Sequence, residues 1–424
     1  MDNLLEELKW RGLLHQCTNE STLLQHLSTP GRKAYAGFDP TADSLTIGNL
    51  VPLMVLRHFQ RAGHAPVVLL GGGTGLIGDP SGKSAERPLL DSASIERNVA
   101  SQRTIFEGVL DFEGEAAALV VNNADWLSRV SYLELLRDVG KHFSVNMMMQ
   151  KDSVRERLKN REQGISYTEF SYMILQAYDF LHLRRTHQVT LQLGGSDQWG
   201  NIVAGVDLTR RLQQAEVFGL TAPLVTKADG SKFGKTESGA VWLTAARTSP
   251  YAYYQFWLNT ADADVERYIK MFTLLTRTKI DEILDTHAAA PERRQAQRAL
   301  AEQATELLHG ADGLARAQSA TEALFSGHFA DLDKETLEMA VADAPSSEHD
   351  RNALQQGMTA VDLVSLTTLA TSKRQAREFL KNGAISVNGQ KLTLESVVSQ
   401  DTLLHKSLLL TKRGKKNWHV LRFS

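Results

Sequence analysis

The chain has 424 residues, 42% of them hydrophobic and 23% charged, with a formal net charge of −2, which predicts two or three globular domains of ordinary composition. Cys17 is the only cysteine, which excludes internal disulfides and multi-cysteine zinc sites. The acidic, amphipathic N-terminus is unlike a targeting peptide, and no apolar run approaches the roughly 20 residues of a membrane span. We therefore expect a cytoplasmic protein without a membrane partner.

The first informative stretch covers residues 33–63. Residues 33–38 predict a short buried strand and residues 47–62 an amphipathic helix, with Ser44 or Thr46 available as the helix N-cap. A strand that leads through a tight turn onto a helix N-terminus leaves backbone N–H groups free to bind phosphate. Gly48 has no side chain, so a flat or bulky ligand can lie against the first helical turn.

A second apolar strand, 66–70, runs into the glycine-rich segment 71–84. The segment is not a P-loop, because the position five residues before Gly82 is Ile77 and Gly78 is one residue out of place. It predicts instead a close approach of nucleotide to backbone, followed by a carboxylate at Asp79. Further strands at 117–122 and 188–193 alternate with helices at 94–110, 131–139, 153–160 and 168–180. This alternation predicts an α/β, Rossmann-like parallel sheet with its ligand at the carboxyl ends of the strands.

Two segments carry side chains suited to ligands. In the predicted helix 171–180, Tyr172, Gln176 and Asp179 share one face, which indicates either a solvated face with a core tyrosine or a pocket for a small polar ligand. In the loop 229–237, Lys232 and Lys235 are three residues apart, as in an ordinary surface loop or in one that folds over a polyphosphate.

The chain divides into four predicted segments: a Rossmann-like domain over 1–248, an α-helical domain over 249–343, a linker over 344–352, and a small α+β domain over 353–424. In the last domain a basic helical face precedes a hairpin signal, Asn388-Gly389. Such a helix is either a solvated charged surface or a binding site for an RNA backbone. The candidate RNA-binding residues are Lys373, Arg374, Arg377 and Lys381.

With these residues in view, the whole chain resembles bacterial-type tyrosyl-tRNA synthetases. The resemblance rests on the run Tyr-x-Gly-Phe-Asp-Pro-Thr-Ala-Asp-Ser-Leu that begins at Tyr35, on the second class I signature Lys-Phe-Gly-Lys-Thr at 232–236, and on the runs 71–79, 171–180 and 194–201. Residues 372–389 resemble an S4-type RNA-binding module. The resemblance makes residues 1–248 the catalytic domain and implies that the α-helical domain over 249–343 binds the anticodon arm. The resemblance implies a tyrosine–tRNA ligase that converts L-tyrosine and ATP to tyrosyl-adenylate and pyrophosphate. The enzyme then transfers tyrosine to the 3′-terminal ribose of tRNA(Tyr).

The resemblance also assigns roles to single residues. The tyrosine phenol would bind Tyr35 and Asp179, its ammonium group Asp79, Tyr172 and Gln176, and its carboxyl group Gln198. The ATP phosphates would meet Thr41, Lys83, Arg87, Lys232 and Lys235. The adenosine and ribose site would be shaped by Gly37, Asp39, Gly48, Gly195 and Asp197, with Leu224 and Val225 beside the adenine. Mg²⁺ would arrive with ATP, no metal or other cofactor would be permanently bound, and a homodimer would form near residues 142–150.

One departure from the family pattern concerns the first class I signature. The family has His-Ile-Gly-His or His-Leu-Gly-His, whereas this chain has Thr46-Ile47-Gly48-Asn49. Asn49 can still donate a hydrogen bond to a ribose oxygen, but Thr46 is too short to reach a terminal phosphate easily. If the lost contact acts only in the transition state, Thr46→His is expected to speed adenylate formation.

Two alternatives remain at this point. The loss of both histidines fits a catalytically silent paralogue that acts as an RNA-binding or regulatory protein, although the other site residues are present. The tryptophanyl enzymes share the fold, but Tyr35 and Asp179 suit a phenol better than an indole N–H.

Overall fold

The computed structural model describes residues 3–81, 90–159, 164–236, 239–329, 331–342, 344–414 and 417–424. It has two compact units, one of Met1–Thr248 with Phe256–Leu308 and one of Ser249–Gln255 with His309–Ser424. The predicted domains 249–343 and 353–424 therefore differ from the observed division. Residues 256–308 belong to the first unit, and residues 309–343 belong with the C-terminal residues.

Among the described residues of the first unit, six strands form one sheet in the order β1-β6-β5-β2-β3-β4. Every neighbouring pair is parallel except β1 with β6. The strands are β1 Gln16–Cys17, β2 Lys33–Phe38, β3 Ala65–Leu70, β4 Leu119–Asn122, β5 Leu191–Gly195 and β6 Phe218–Ala222. This confirms the predicted parallel α/β sheet.

Strands β2 and β3 are interior strands of this sheet, and both are largely buried apolar runs, as parallel strands covered on both faces require. The chain continues from β2 to β3 on one side, whereas β5 pairs with β2 on the other. The strand order thus reverses at β2, and a ligand crevice is expected outside the carboxyl ends of the strands at this switch point.

The two units also contain helices. In chain order they are α1 Leu4–Trp10, α2 Glu20–Leu27, α3 Leu50–Arg61, α4 Ser92–Val109, α5 Ala124–Leu127, α6 Tyr132–Glu134, α7 Val145–Met149, α8 Asp152–Lys159, α9 Tyr167–His187, α10 Trp199–Gln213, α11 Pro250–Leu258, α12 Asp262–Phe272, α13 Arg277–Ala289, α14 Gln295–Ser326, α15 Lys334–Ala340, α16 Ala360–Ser365 and α17 Lys373–Lys381. Helix α14 bends at Gly310, whose φ of 71° is not helical. Within the described ranges, no helix has the length and apolar character needed to cross a membrane.

The predicted strand at 188–193 begins too early. Helix α9 continues to His187, and Gln188 then adopts a left-handed conformation with φ of 60°, which ends the helix. Strand β5 therefore starts only at Leu191 and extends to Gly195. The shift places the glycines at 194–195 within the strand, directly before the polar residues of the site.

The described part of the second unit contains a five-stranded sheet in the order β12-β11-β14-β15-β9. Shorter ladders join β7 to β8 in the first unit and β10 to β13 in the second. The remaining strands are β7 Lys235–Thr236, β8 Gly239–Ala240, β9 Ser346–His349, β10 Met358–Thr359, β11 Ile385–Val387, β12 Gln390–Lys391, β13 Val397–Val398, β14 Leu408–Arg413 and β15 Asn417–Phe423. The predicted hairpin is confirmed, since Asn388 and Gly389 join β11 to β12 with φ of 47° and 82°.

The predicted linker over 344–352 is wrong for its central part. Residues Ser346–His349 form β9, which pairs in parallel with β15 at the edge of the five-stranded sheet. One apolar core also joins Ala323, Phe329 and Leu337 to Leu410 and Val420. The segment is therefore part of a folded unit and does not separate two domains.

Candidate functional site

The deepest part of the candidate site is formed by Tyr35 on β2 and Asp179 on α9, both buried. Each carboxylate oxygen of Asp179 accepts one hydrogen bond, Oδ2 from Asn123 Nδ2 at 2.9 Å and Oδ1 from Trp126 Nε1 at 2.8 Å. Burial raises the pKa of Asp179 to about 7, while the two donors act in the opposite direction. The Tyr35 hydroxyl is buried without a hydrogen-bond partner among the described residues. An unpaired hydroxyl near a carboxylate is suited to receive a ligand hydroxyl.

Hydrogen bonds continue from this end of the site to Asp39, at the carboxyl end of β2. Asn123 Nδ2 also donates to Thr74 Oγ1 at 3.0 Å, and Thr74 Oγ1 donates to Asp39 Oδ1 at 2.8 Å. The Tyr172 hydroxyl donates to Asp39 Oδ2 at 2.7 Å. A Cβ on Gly71 would lie 2.0 Å from Asp39 Oδ1, so only glycine leaves room for this arrangement. The two carboxylates, Asp179 and Asp39, are thus held by one network.

A second polar cluster lies around Asp79. Gln198 Nε2 donates to Asp79 Oδ2 at 2.7 Å, and Gln176 Nε2 donates to Gln198 Oε1 at 3.3 Å. Asn201 Nδ2 reaches Gln176 Oε1 at 3.0 Å and Gln198 Oε1 at 3.3 Å. The Asp79 carboxylate and the amide oxygens of Gln176 and Gln198 are hydrogen-bond acceptors, which an ammonium group requires. The structure therefore brings together the predicted residues Asp79, Gln176 and Gln198.

The predicted nucleotide-binding residues border an open surface. Gly37, Thr41 and Gly48 are exposed, and Leu224 is 61% exposed beside the half-buried Val225. A Cβ on Gly195 would lie 2.6 Å from Asp197 Oδ1 and 3.6 Å from Leu224 Cδ2, so these three residues adjoin one another. Burial, with the nearby negative charge of Asp79, raises the pKa of Asp197.

In the first signature, Thr46 and Asn49 bind each other. The Thr46 backbone N–H and its hydroxyl both donate to Asn49 Oδ1, at 3.1 and 3.0 Å. Thr46, one of the two predicted caps, occupies the N-cap position of a short 3-10 helix, Ile47–Asn49, that leads into α3.

The second signature is anchored by an aromatic side chain. Phe233 stacks on Phe272 with a centroid distance of 5.4 Å and contacts the rings of Trp257 and Tyr268. Lys232 and Lys235 are exposed on either side of it. At Gly234, whose φ is 76°, a Cβ would lie 2.3 Å from Ile47 Cγ2, so the two signatures are in direct contact.

Lys83 and Arg87, predicted to meet phosphates, lie outside the described residues, as does the whole segment 82–84 that ends the glycine-rich run. The predicted RNA-binding residues lie in the second unit on α17. Ala376 and Leu380 are buried there, whereas Lys373, Arg374, Arg377 and Lys381 are exposed. No group of three His, Cys, Asp or Glu side chains within the described ranges is arranged to hold a metal ion.

Four contributing residues were not predicted: Thr74, Asn123, Trp126 and Asn201. Asn123 and Trp126 follow β4, whose carboxyl end adjoins that of β3. Their position directly after a predicted strand was a usable signal, because the same reasoning pointed to residues after β2 and β5. The ends of four strands thus contribute polar groups to one site.

Two family models match the chain. A model of class I tRNA synthetases (W and Y) matches residues 29–326, and a model of the tyrosine–tRNA ligase SYY-like C-terminal domain matches residues 336–421. The first match covers all of the site described above.

Relatives with known names match over their full length. The tyrosine–tRNA ligase of Aliivibrio fischeri is 50% identical over 422 residues, which is 99% of this chain and 98% of the relative. That of Bacillus velezensis is 48% identical over 427 residues and 100% of both chains. Among solved structures, the C-terminally truncated mitochondrial tyrosyl-tRNA synthetase of Aspergillus nidulans is similar with a TM-score of 0.70 and 31% identity, over 77% of this chain and 95% of that one.

Proposed function

The chain belongs to the class I tRNA synthetases (W and Y) and is a tyrosine–tRNA ligase, and from this premise we propose that the pocket at the carboxyl ends of β2 to β5 binds tyrosine and ATP side by side. The observation that carries the proposal is that two separate clusters of polar side chains lie at the two ends of one pocket. Asp179 with Tyr35 forms one end, and Asp79 with Gln176 and Gln198 forms the other. The relatives described above are tyrosine–tRNA ligases, and they give no support to the alternative of a catalytically silent paralogue.

The buried end suits the phenol of tyrosine. The substrate hydroxyl would donate to Asp179 and accept from the Tyr35 hydroxyl, which has no other partner among the described residues. Phenylalanine would leave both groups unpaired in a buried site, and tyrosyl enzymes are the standard example of strong discrimination by this means. An indole N–H would satisfy the carboxylate but not the Tyr35 donor.

The open end suits the activation chemistry. With the substrate ammonium group on Asp79 and Gln176, the substrate carboxylate would face the nucleotide surface bordered by Gly37 and Gly48. The carboxylate attacks the α-phosphate of the Mg²⁺-bound ATP and pyrophosphate leaves, so no protein side chain acts as a covalent nucleophile. The protein contributes positioning, and the exposed Lys232 and Lys235 would neutralise charge on the departing pyrophosphate. Thr41, Lys83 and Arg87 are assigned to the same phosphates.

We assign tRNA contacts to the second unit. The exposed face of α17 carries the four basic side chains named above over a buried apolar face, as a helix that binds RNA phosphates requires. Transfer of tyrosine to the terminal ribose of the tRNA follows adenylate formation.

A cytoplasmic homodimer is part of the proposal. Around residues 142–150 several apolar side chains face solvent, with Val145 58%, Met147 53% and Met149 47% exposed. An apolar surface of this kind is costly to leave in water and is typical of a subunit interface. Light scattering is expected to give twice the chain mass of 46.9 kDa, and Met147→Glu is expected to shift the protein towards monomer.

The deciding experiment is ATP–pyrophosphate exchange on the purified protein with tyrosine, phenylalanine and tryptophan in parallel. We expect exchange with tyrosine alone, and loss of that exchange in Asp179→Ala. Absence of exchange with all three amino acids, in a protein that still binds labelled tyrosine or tRNA, would instead support the silent paralogue.

A further inference from the structure

The contact between Thr46 and Asn49 fixes the orientation of one side chain in the first signature. A backbone N–H can only donate, so the atom of Asn49 that faces the Thr46 N–H at 3.1 Å must be the carboxamide oxygen. The same oxygen lies 3.0 Å from the Thr46 hydroxyl, which therefore donates to it as well. The amide nitrogen of Asn49 consequently points away from Thr46. No hydrogen bond to that nitrogen is formed by the part of the chain that the structure describes.

Thr46 is held in place on its other side. It forms an antiparallel bridge with Trp242, and the bonds from Ile47 N to Val241 O at 3.0 Å and from Leu243 N to Leu45 O at 2.8 Å flank this bridge. The backbone around Thr46 is thus hydrogen-bonded to residues 241–243, which follow the second signature. With its backbone fixed and its hydroxyl donated to Asn49, Thr46 is poorly placed to act as a mobile phosphate ligand.

The pair lies at the surface left open for nucleotide. A Cβ on the exposed Gly48 would have the Thr46 hydroxyl as its nearest neighbour, at 3.8 Å. Asn49 is half-buried at the N-cap position of α3, directly after Gly48, and its carboxamide contacts the same Thr46 hydroxyl.

We infer that Thr46 is a positioning residue whose hydroxyl, together with its backbone N–H, orients the Asn49 carboxamide so that its N–H groups donate to the ribose of ATP. The two residues act as one unit in place of the two signature histidines, and a single histidine introduced at position 46 would break the unit. This inference rests on the proposed ATP site. It reverses the expectation from sequence that Thr46→His speeds adenylate formation.

The test compares variants that differ only in the hydroxyl. Thr46→Val keeps the shape of the side chain and removes the donor, whereas Thr46→Ser keeps the donor. Single-turnover formation of tyrosyl-adenylate over a range of ATP concentrations separates ATP affinity from the rate at saturation. We expect the ratio of rate to ATP dissociation constant to fall about tenfold in Thr46→Val, the effect of one lost hydrogen bond, and much less in Thr46→Ser.

A double-mutant cycle distinguishes positioning from a merely structural role. If Thr46 acts through Asn49, Thr46→Val adds little loss once Asn49→Ala has removed the donor. ATP analogues that each lack one ribose oxygen provide a second readout, because the penalty of Thr46→Val should disappear with the analogue that lacks the oxygen bound by Asn49. Equal losses from Thr46→Val in both backgrounds, together with an unchanged penalty across all the analogues, would overturn the inference.

The histidine variants give an independent outcome. Thr46→His alone should be slower than wild type, and Thr46→His/Asn49→His faster than either single variant. A faster Thr46→His enzyme would overturn the inference. Tyrosine affinity and melting temperature, measured on each variant, identify any that fails to fold. If the wild-type protein shows no tyrosine-dependent exchange, the proposed function itself is contradicted. If the wild-type protein is active but Thr46→Val and Thr46→Ser form the adenylate at equal rates, only the role of Thr46 in orienting Asn49 is contradicted.

Discussion

The indole N–H of Trp126 lies 2.8 Å from Asp179 Oδ1, and this bond holds a fully buried carboxylate in the orientation that a substrate phenol needs. Burial favours the protonated acid, while the bonds from Trp126 and Asn123 favour the charged form. Because the opposing effects leave the pKa of Asp179 at about 7, the carboxylate changes its ionisation within the range where enzymes work.

Tyrosine affinity should therefore depend on pH. A phenol donates a stronger hydrogen bond to an ionised carboxylate than to a protonated acid, so the dissociation constant should be larger at pH 6 than at pH 8, by up to about tenfold for a pKa of about 7. Trp126→Phe removes one donor, which raises the pKa of Asp179 further and moves the transition to higher pH. Equilibrium dialysis with labelled tyrosine measures both effects. Trp10→Phe is the control, because the Trp10 ring contacts Arg11 and Arg277. Identical affinities at pH 6 and pH 8 would contradict the role of Asp179.

The free energy of unfolding of the ligand-free protein should also depend on pH, but it should fall as pH rises, whereas tyrosine affinity rises. The pKa of Asp179 rises from 3.8 to about 7 on folding, so between these values the folded state keeps a proton that the unfolded state loses. Each pH unit in that window then costs about 1.4 kcal/mol, or about 4 kcal/mol in all. Asp179→Asn does not titrate and should gain stability relative to wild type as pH rises from 4 to 7, on top of a constant offset.

Thermal denaturation at a series of pH values measures this difference. Asp125→Asn removes an exposed carboxylate next to Trp126 and serves as the matched control, with a pH dependence like that of wild type. A constant difference between Asp179→Asn and wild type over the window would show that Asp179 is already ionised in the folded protein.

Sequence patterns predicted the site residues that recur on one face of a helix or that follow the end of a strand. Tyr172, Gln176 and Asp179 recur on one helical face, and Asp39 and Asp79 follow apolar strands or glycine runs. Asn123 and Trp126 also follow a predicted strand, but their role in supporting Asp179 depends on β4 lying beside β3, which is a non-local contact. Sequence gave the type of site more readily than the residues that support it.

The same limit explains the misassigned linker. Residues 344–349, Ala-Pro-Ser-Ser-Glu-His, have the composition of a loop, and only the parallel pairing of Ser347 with Leu421 and its neighbours makes them a strand. Edge strands are often polar and short, so local composition does not separate them from connecting segments. The strands β9 and β15 are more than 70 residues apart in sequence, and the apolar core that contains Phe329 and Val420 lies in the same unit.

Substitutions at Gly71 and Gly48 should distinguish a residue that supports the whole site from one that contacts only the nucleotide. An alanine Cβ at Gly71 would meet Asp39 Oδ1 at 2.0 Å and Thr74 Oγ1 at 2.6 Å, so Gly71→Ala should displace Asp39 and weaken both tyrosine and ATP binding. At Gly48 the nearest atom is 3.8 Å away, so the protein accepts alanine and only ATP binding should suffer. Separate dissociation constants for the two substrates check this. Weaker tyrosine binding in Gly48→Ala would show that the two subsites are not separated as proposed.

We expect the basic face of α17 to bind tRNA. Ser372 caps this helix, and the buried Ala376 and Leu380 fix which side faces solvent. Arg377 and Lys381 are exposed there, whereas Lys373 lies 2.6 Å from Asp362 and has part of its charge neutralised. Replacing Arg377 or Lys381 by Gln should therefore weaken tRNA binding more than Lys373→Gln.

The salt dependence of binding identifies the kind of contact. Each phosphate contact releases counterions, so the slope of log affinity against log salt should become shallower by about one for each contact that is removed. Filter binding of tRNA(Tyr) between low and moderate salt measures the slope, and Lys279→Gln, an exposed lysine of the first unit, is the control. Tyrosine-dependent ATP–pyrophosphate exchange needs no tRNA and shows whether the catalytic site is intact in each variant. An unchanged slope in Arg377→Gln/Lys381→Gln would mean that RNA phosphates do not bind this face, and the charged helix would then be an ordinary solvated surface.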